Sequence, residues 1–284
     1  MNKHTQPIRY FGGKGNGLRN KIYTYFPNKT EYDTYIEVFG GGASVLLGKE
    51  RFGVEIYNDL EKNVYSLFKV LADKNLFLKF KERCDISLYS RDLREEYRKD
   101  LKNDLDIVDR AYKYFYVNRT SVNGIGGFSV STSCIRRNMS KSTSDFLSTI
   151  DGLYELHDRL SSVIIENKDG IELIKKYDRS NVFMYLDPPY HHDSRTSARY
   201  ACDMNNEQQI IFLDTILKLK HTKILLSGYN CEEYNNKLSK WDKIEMEIKT
   251  QDGNRMPKTK VEVLWKNYNT ICTTQDLREE LFTE

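Results

Sequence analysis

The 284-residue chain predicts an α/β protein built on an open sheet, and three observations carry that expectation. Val182 to Leu186 is an apolar run stopped by Asp187-Pro188-Pro189-Tyr190, which reads as a buried strand ending at a rigid turn. Thr34 to Phe39 has strand composition and runs into Gly40-Gly41-Gly42 and then a helix-like start, Ala43-Ser44-Val45-Leu46-Leu47. A further strand, Phe52 to Ile56, leads to Asn58 and Asp59, nineteen positions after Gly40. Ligands of open α/β sheets bind outside the carboxyl ends of the strands, so all three segments are expected at one crevice.

Taken in order, residues 8 to 17 form a glycine-dense loop before a helix-like segment from about Leu18. Lys14 sits in it, but no Ser or Thr follows the lysine and the glycine spacing differs, which argues against a phosphate loop. An ordinary flexible loop is the alternative there. The glycines after Phe39 let backbone approach a ligand and free helix N-terminal amides for hydrogen bonding. An acidic residue at the position of Asp59, on the second strand tip of a Rossmann-like sheet, accepts hydrogen bonds from ribose hydroxyls, so the expected ligand carries a nucleoside. Leu60 to Leu71 has helical periodicity and covers the sheet.

From Phe77 to Ser148 the pattern changes. Mixed charge between Lys81 and Lys102 suggests exposed helices, and Ala111 to Val117 is another helix. A glycine-rich, polar, basic loop follows, with Asn118, Arg119, Thr120, Ser121 and Asn123, then Arg136, Arg137 and Lys141. It reads either as a plain surface loop or as a grip on a large substrate, its cations meeting phosphates and its polar side chains reaching base edges. A single helix over 145–160, a strand over 163–165 and Asp169-Gly170 come next. Asp169 either binds the ligand or caps the helix that starts at Ile171. Asn206 with Gln209 resembles a capping pair for a helix through Leu219, and strands over 223–226, 243–248 and 261–265 complete the sheet.

At the centre, the two prolines remove two amide donors and leave the Asp187 carboxylate and the carbonyls as fixed acceptors, suited to an electron-poor amino group. Tyr190 offers a face for a planar ring. The bland reading is a tight turn with a capping aspartate.

Composition narrows the class. The N-terminus is polar and no apolar run is long enough to span a bilayer, so a cytoplasmic protein without a membrane partner is expected. The five cysteines are scattered and never at metal-ligand spacing, so they read as reduced thiols and no metal is expected. His191 and His192 adjoin the proline motif, but adjacent residues rarely face one ion together, and the pair is expected to line a loop. A net charge of +3 is only mildly basic, so a polyanion would need a local patch.

Four segments together resemble the Dam family of DNA adenine methyltransferases. Tyr10-Phe11-Gly12-Gly13-Lys14 is similar to that family's N-terminal cofactor segment, with Tyr10 where tryptophan is usual. Glu37-Val38-Phe39-Gly40-Gly41-Gly42-Ala43-Ser44 resembles its glycine-rich segment, with Val38 where proline is common. Asp59 falls on the acidic ribose position, and Asp187-Pro188-Pro189-Tyr190 matches the catalytic motif in full. The order of the segments is that of the family's α arrangement.

The resemblance implies a Rossmann-like methyltransferase sheet formed by residues 1–76 and 149–284, with a mainly helical target-recognition insertion at 77–148. It implies S-adenosylmethionine as cofactor, resting on Tyr10, Lys14, Glu37, Phe39, Gly40, Gly42, Ala43, Ser44, Asp59, Asp169 and Asp187. It implies catalysis by Asp187, Pro188, Pro189 and Tyr190, and double-stranded DNA as partner, with a cognate restriction endonuclease left open. Members that read GATC carry an aromatic residue where Val122 stands and an arginine where Gly126 or Gly127 stands, so a target other than GATC is expected. The alternatives are methylation of RNA adenine or of protein glutamine, which present the same planar amino group, and a catalytically silent nucleic-acid binding module.

Overall fold

The computed structural model describes residues 6–10, 13–189, 204–251 and 257–269. The chain runs α1 (Asn16–Tyr23), β1 (Thr34–Glu37), α2 (Ser44–Gly48), β2 (Val54–Asn58) and α3 (Lys62–Ala72). Next come α4 (Lys74–Asp85), α5 (Arg91–Asp100), α6 (Ile107–Thr120), the short hairpin β3 (Ile135–Arg136) and β4 (Met139–Ser140), α7 (Lys141–Asp151) and α8 (Leu153–Leu160). The chain then returns to the sheet through β5 (Val163–Glu166), α9 (Gly170–Lys176), β6 (Val182–Leu186), α10 (Asn206–Lys218), β7 (Lys223–Tyr229), α11 (Glu232–Lys237), β8 (Asp242–Gln251) and β9 (Pro257–Lys266). Among the described residues no helix is long and apolar enough to cross a membrane.

Seven strands form one mixed sheet in the order β5-β2-β1-β6-β7-β9-β8. β9 pairs antiparallel with both of its neighbours, while the pairs from β5 to β7 are parallel. From β1 the chain moves outward through β2 to β5, then crosses back to place β6 on the other side of β1. The strand order therefore reverses between β1 and β6, where a crevice opens in such sheets.

β6 shows why an unbroken apolar run makes a central strand. Phe183 and Tyr185 join one core with Tyr35, Tyr57, Phe68 and Phe115, whereas Val182, Met184 and Leu186 join the other with Ile36, Leu173, Phe212 and Ile216. Successive side chains point to opposite faces and helices cover both, so every residue of β6 is buried.

Several boundaries differ from the sequence reading. β2 begins at Val54 rather than Phe52 because Gly53 turns at φ +60, with the Asp33 carbonyl 2.0 Å from where a Cβ would lie. Gly152 divides the helix expected over 145–160 into α7 and α8. The capping pair of α10 is Asn205 with Gln208, one residue earlier than Asn206 with Gln209, and that leaves Gln209 for another task. Asn118, Arg119 and Thr120 belong to the last turn of α6 rather than to a loop.

Candidate functional site

The walls of one cavity are the strand tips of β1, β2 and β6. Tyr10, Glu37, Phe39, Gly40, Gly42, Ser44, Asp59, Asp169, Asp187 and Pro189 line it, joined by Asn58, Glu61 and Gln208, which were not among the expected site residues. Two expected cofactor residues are elsewhere. Ala43 is fully buried behind the turn at φ 52, and Lys14 sits behind Asp187 instead of on the cavity wall. Tyr190 lies outside the described residues, as do His191 and His192.

The glycine turn is shaped by close packing. A Cβ on Gly40 would lie 2.1 Å from the Tyr57 ring, and one on Gly41, at φ +48, would lie 2.5 Å from the Tyr10 ring. Tyr57 Oη also donates to the Gly41 carbonyl at 2.6 Å. Asp59 closes the turn from the β2 side: its Oδ2 accepts from the Gly41 amide and its Oδ1 from the Glu61 amide, both at 2.8 Å. Burial pushes its carboxyl up to about 6 against these two amide bonds.

Glu37 ends β1 and its Oε2 accepts from the Leu46 amide at 2.8 Å. Burial raises its carboxyl to about 8, with the Asp187 charge adding to the rise and Lys49 and Arg159 opposing it. Two desolvated carboxyl groups on one wall make the cavity receptive to hydroxyl donors, and to a positive charge that would draw off the Glu37 proton. Of the two alternatives for Asp169 the structure shows the helix cap. Its Oδ1 caps α9 through the Ile171 and Glu172 amides, and the residue lines the cavity.

Asp187 follows β6 directly, and Lys14 Nζ donates to its Oδ1 at 2.9 Å. Pro188 is buried, and the Pro189 carbonyl accepts from Gln209 Nε2 at 2.6 Å. Gln209 is fully buried, and its Oε1 accepts from Tyr234 Oη at 2.6 Å. A side chain from α10 thus holds the proline turn.

The residues expected to meet a large substrate separate into two sets. Asn118, Thr120 and Ser121 are buried and hydrogen-bonded internally, which corrects the expectation that their side chains face outward. Asn118 Oδ1 accepts from the Arg9 amide at 2.8 Å, Thr120 Oγ1 donates to the Tyr116 carbonyl at 2.7 Å, and Ser121 Oγ accepts from Arg94 Nε at 3.0 Å. Asn123 (φ 53), Arg136, Arg137 and Lys141 are exposed. Arg136 and Lys141 both pair with Asp145, and Arg137 bonds Ser144. Arg119 donates to Thr149 and lines a second cavity with Arg9, Lys14 and Arg19, beside the first. Burial and then Arg9 lower its guanidinium to about 10.

Residues 10–254 match the family described as D12 class N6 adenine-specific DNA methyltransferase. The chain belongs to this family. It is similar to the type II methyltransferase M.CviBI of Paramecium bursaria Chlorella virus NC1A, 24% identical over 229 residues that cover 78% of this chain and 82% of that protein. It is 26% identical over 255 residues to the type II methyltransferase M.MjaIII of Methanocaldococcus jannaschii, covering 79% and 84%. With the modification methylase StsI of Streptococcus sanguinis it shares 24% identity over 298 residues, 93% of this chain but 43% of that protein.

The D12 methyltransferase is thus an adenine-specific DNA methyltransferase on the α/β sheet expected for the class, and its family takes methyl from S-adenosylmethionine. The donor set of the methyltransferase fits that group. Asp59 and Glu37 are buried carboxyl groups on the cavity wall, acceptors suited to a ribose diol and to a cationic tail, and the glycine turn leaves its Cβ positions to Tyr57 and Tyr10.

Proposed function

We propose that this methyltransferase transfers methyl from S-adenosylmethionine to the exocyclic amino group of an adenine extruded from duplex DNA, at a target other than GATC. The observation that carries the reading is that Asp187 and Pro189, at the tip of β6, share one cavity with Glu37, Gly40 and Asp59. When bound, S-adenosylmethionine supplies a methyl group on a positively charged sulfur.

The chain's own residues do the rest. Asp59 takes the ribose hydroxyls, and Glu37 faces the positive end of the cofactor. Asp187 and the Pro188 carbonyl accept the two hydrogens of the adenine amino group, which aims the nitrogen lone pair at the methyl. Positive charge grows on that nitrogen as the bond forms, so the Asp187 carboxylate stabilises the transition state more than the ground state. Tyr190 stacks on the extruded base, offsetting an unstacking cost on the order of a few kcal/mol.

Residues 1–76 and 149–284 carry the chemistry and 77–148 reads the target. Within that insertion Asn123, Arg136, Arg137 and Lys141 approach the DNA, with Arg119 beside the cofactor half. Asn118, Thr120 and Ser121 shape the loop from inside. In a restriction-modification pair the partner of such a methylase would be a cognate restriction endonuclease cutting the same site.

Purified protein with tritiated S-adenosylmethionine tests the reaction: label is expected in the adenine of duplex DNA. Asp187→Ala is expected to lose transfer by about a thousandfold or more, in line with removal of a transition-state acceptor, while folding persists. Label appearing only in RNA or protein would overturn the substrate, and near-normal rates in the variant would overturn the role of Asp187. Methylation-sensitive sequencing of DNA from expressing cells identifies the site, and modification at GATC would overturn that part.

A further inference from the structure

Glu55 of β2 and Arg159 of α8 form an ion pair sealed from solvent, at 2% and 1% exposure. Arg159 donates through both terminal nitrogens, to Glu55 Oε2 at 2.5 Å and to Oε1 at 3.0 Å. Lys49, which directly follows α2, donates to the same Oε1. Desolvation offsets most of the attraction within a buried pair, so stability alone does not account for it.

A third contact does. Arg159 Nη2 also donates to the Leu46 carbonyl at 2.8 Å, and the Leu46 amide donates to Glu37 Oε2 at 2.8 Å. α2 has only five residues and no side-chain cap at its start, and a helix of little more than one turn depends on its neighbours for support. Arg19 Nη1 donates to its Ser44 carbonyl at 3.2 Å, and Tyr23 Oη to its Val45 carbonyl at 2.7 Å. Three successive carbonyls of α2 are thus each held by a side chain, two from α1 and one from α8. Of the three residues, Leu46 is the one whose own amide reaches Glu37. Its carbonyl meets a guanidinium that Glu55 fixes at two points, so the donor is already oriented.

Resting on the reading of Glu37 as the group that meets the positive end of the cofactor, we infer that Arg159 is a positioning residue: anchored by Glu55, it holds α2 at Leu46 so that the Leu46 amide fixes the Glu37 carboxyl toward that end. Its charge, like that of Lys49, also favours the ionised form of Glu37. The ribose side of the cavity stands on Asp59 and the Gly41 amide instead. Arg159 therefore governs the amino-acid part of S-adenosylmethionine and not its nucleoside.

Calorimetric titration with S-adenosylmethionine and with methylthioadenosine, which keeps the nucleoside and lacks the cationic amino-acid end, tests this. Arg159→Met leaves Glu55 paired with Lys49 and removes the donors to Leu46. It is expected to weaken S-adenosylmethionine about tenfold, the loss that goes with one charge-assisted hydrogen bond, and to leave methylthioadenosine unchanged. Equal weakening of both ligands, the mark of a merely structural role, overturns the inference, and so does no change in either. Arg159→Gln keeps a donor for Glu55 on a side chain too short for Leu46; the same selective loss is expected, and this variant decides the matter if Arg159→Met does not fold. Glu37→Gln separates the inference from the reading beneath it. Selective loss is expected there too: its absence sinks the role of Glu37 and that of Arg159 with it, whereas selective loss there but not in the Arg159 variants sinks Arg159 alone.

Discussion

At the scale of single residues, the cavity buries carboxyl groups and keeps them on its wall, where a ligand could complete their surroundings. Asp59 accepts two backbone amides and still lines the cavity. Charge-assisted hydrogen bonds contribute about 1.5–3 kcal/mol each, so Asp59→Ala is expected to weaken cofactor binding roughly ten- to a hundredfold. A tritiated-cofactor binding assay checks this, and equal affinities would refute the assignment. Glu37 makes a second, pH-linked prediction. Its carboxyl is raised in the fold to about 8 from 4.5, and that of Asp59 to about 6 from 3.8. The folded state therefore holds these protons more tightly than the unfolded chain does. Their contribution to stability is complete below the ordinary carboxylate values and is lost as pH rises through about 6 for Asp59 and about 8 for Glu37. Urea unfolding of the unliganded protein across this range, compared with Glu37→Gln, is expected to show the variant gaining on the wild type between pH 4.5 and 8. A constant difference would mean that Glu37 titrates alike in both states.

At the scale of elements, the proline turn after β6 depends on α10. Gln209 joins the Pro189 carbonyl to the Tyr234 hydroxyl, both at 2.6 Å, in a fully buried position. Gln209→Leu removes both bonds and leaves a buried hydroxyl without its partner, a cost of about 1–3 kcal/mol. The expected outcome is a lower melting temperature and a single-turnover rate reduced about tenfold or more, with cofactor affinity little changed, because the turn carries Asp187 and not the ribose contact. A rate equal to wild type would show that the turn holds itself. Here the limits of sequence reading have a physical cause. β6, the glycine turn and Asp59 were legible because an apolar run, prolines and glycines act locally on the backbone. Gln209 was misread as a cap because it stands one residue past the true capping pair, and its partner Pro189 lies 20 positions away. Glu55 was invisible for a stronger reason. It sits in the alternating run Val54-Glu55-Ile56, where a lone charge reads as solvent-facing, and its partner Arg159 is 104 positions distant.

At the scale of the whole molecule, the sequence divides more cleanly than the structure. The change of composition at Phe77 suggested where the insertion starts, yet α4 already begins at Lys74 with Asp73 as its cap, and residue 148 falls inside α7. Phe77, Phe80, Phe115, Tyr116 and Phe146 from the proposed insertion pack into the same core as Leu67, Phe68 and Leu71 of α3 and Leu156 and Leu160 of α8. Periodicity within each helix shows that it has an apolar face but not which neighbour covers that face. The shared core leads to a prediction about folding. Full burial of a large apolar side chain contributes about 1.5–3 kcal/mol, and removal of the five insertion aromatics also exposes the α3 face beneath them. That loss is comparable to the net stability of a domain, about 5–15 kcal/mol. The intact methyltransferase is therefore expected to melt in one cooperative transition, followed by circular dichroism and by tyrosine fluorescence together. A chain in which 77–148 is replaced by a short glycine-serine linker is expected to show no cooperative melt and no cofactor binding. A linker variant that melts cooperatively and still binds S-adenosylmethionine would show that the catalytic sheet and its α3 layer fold without the insertion.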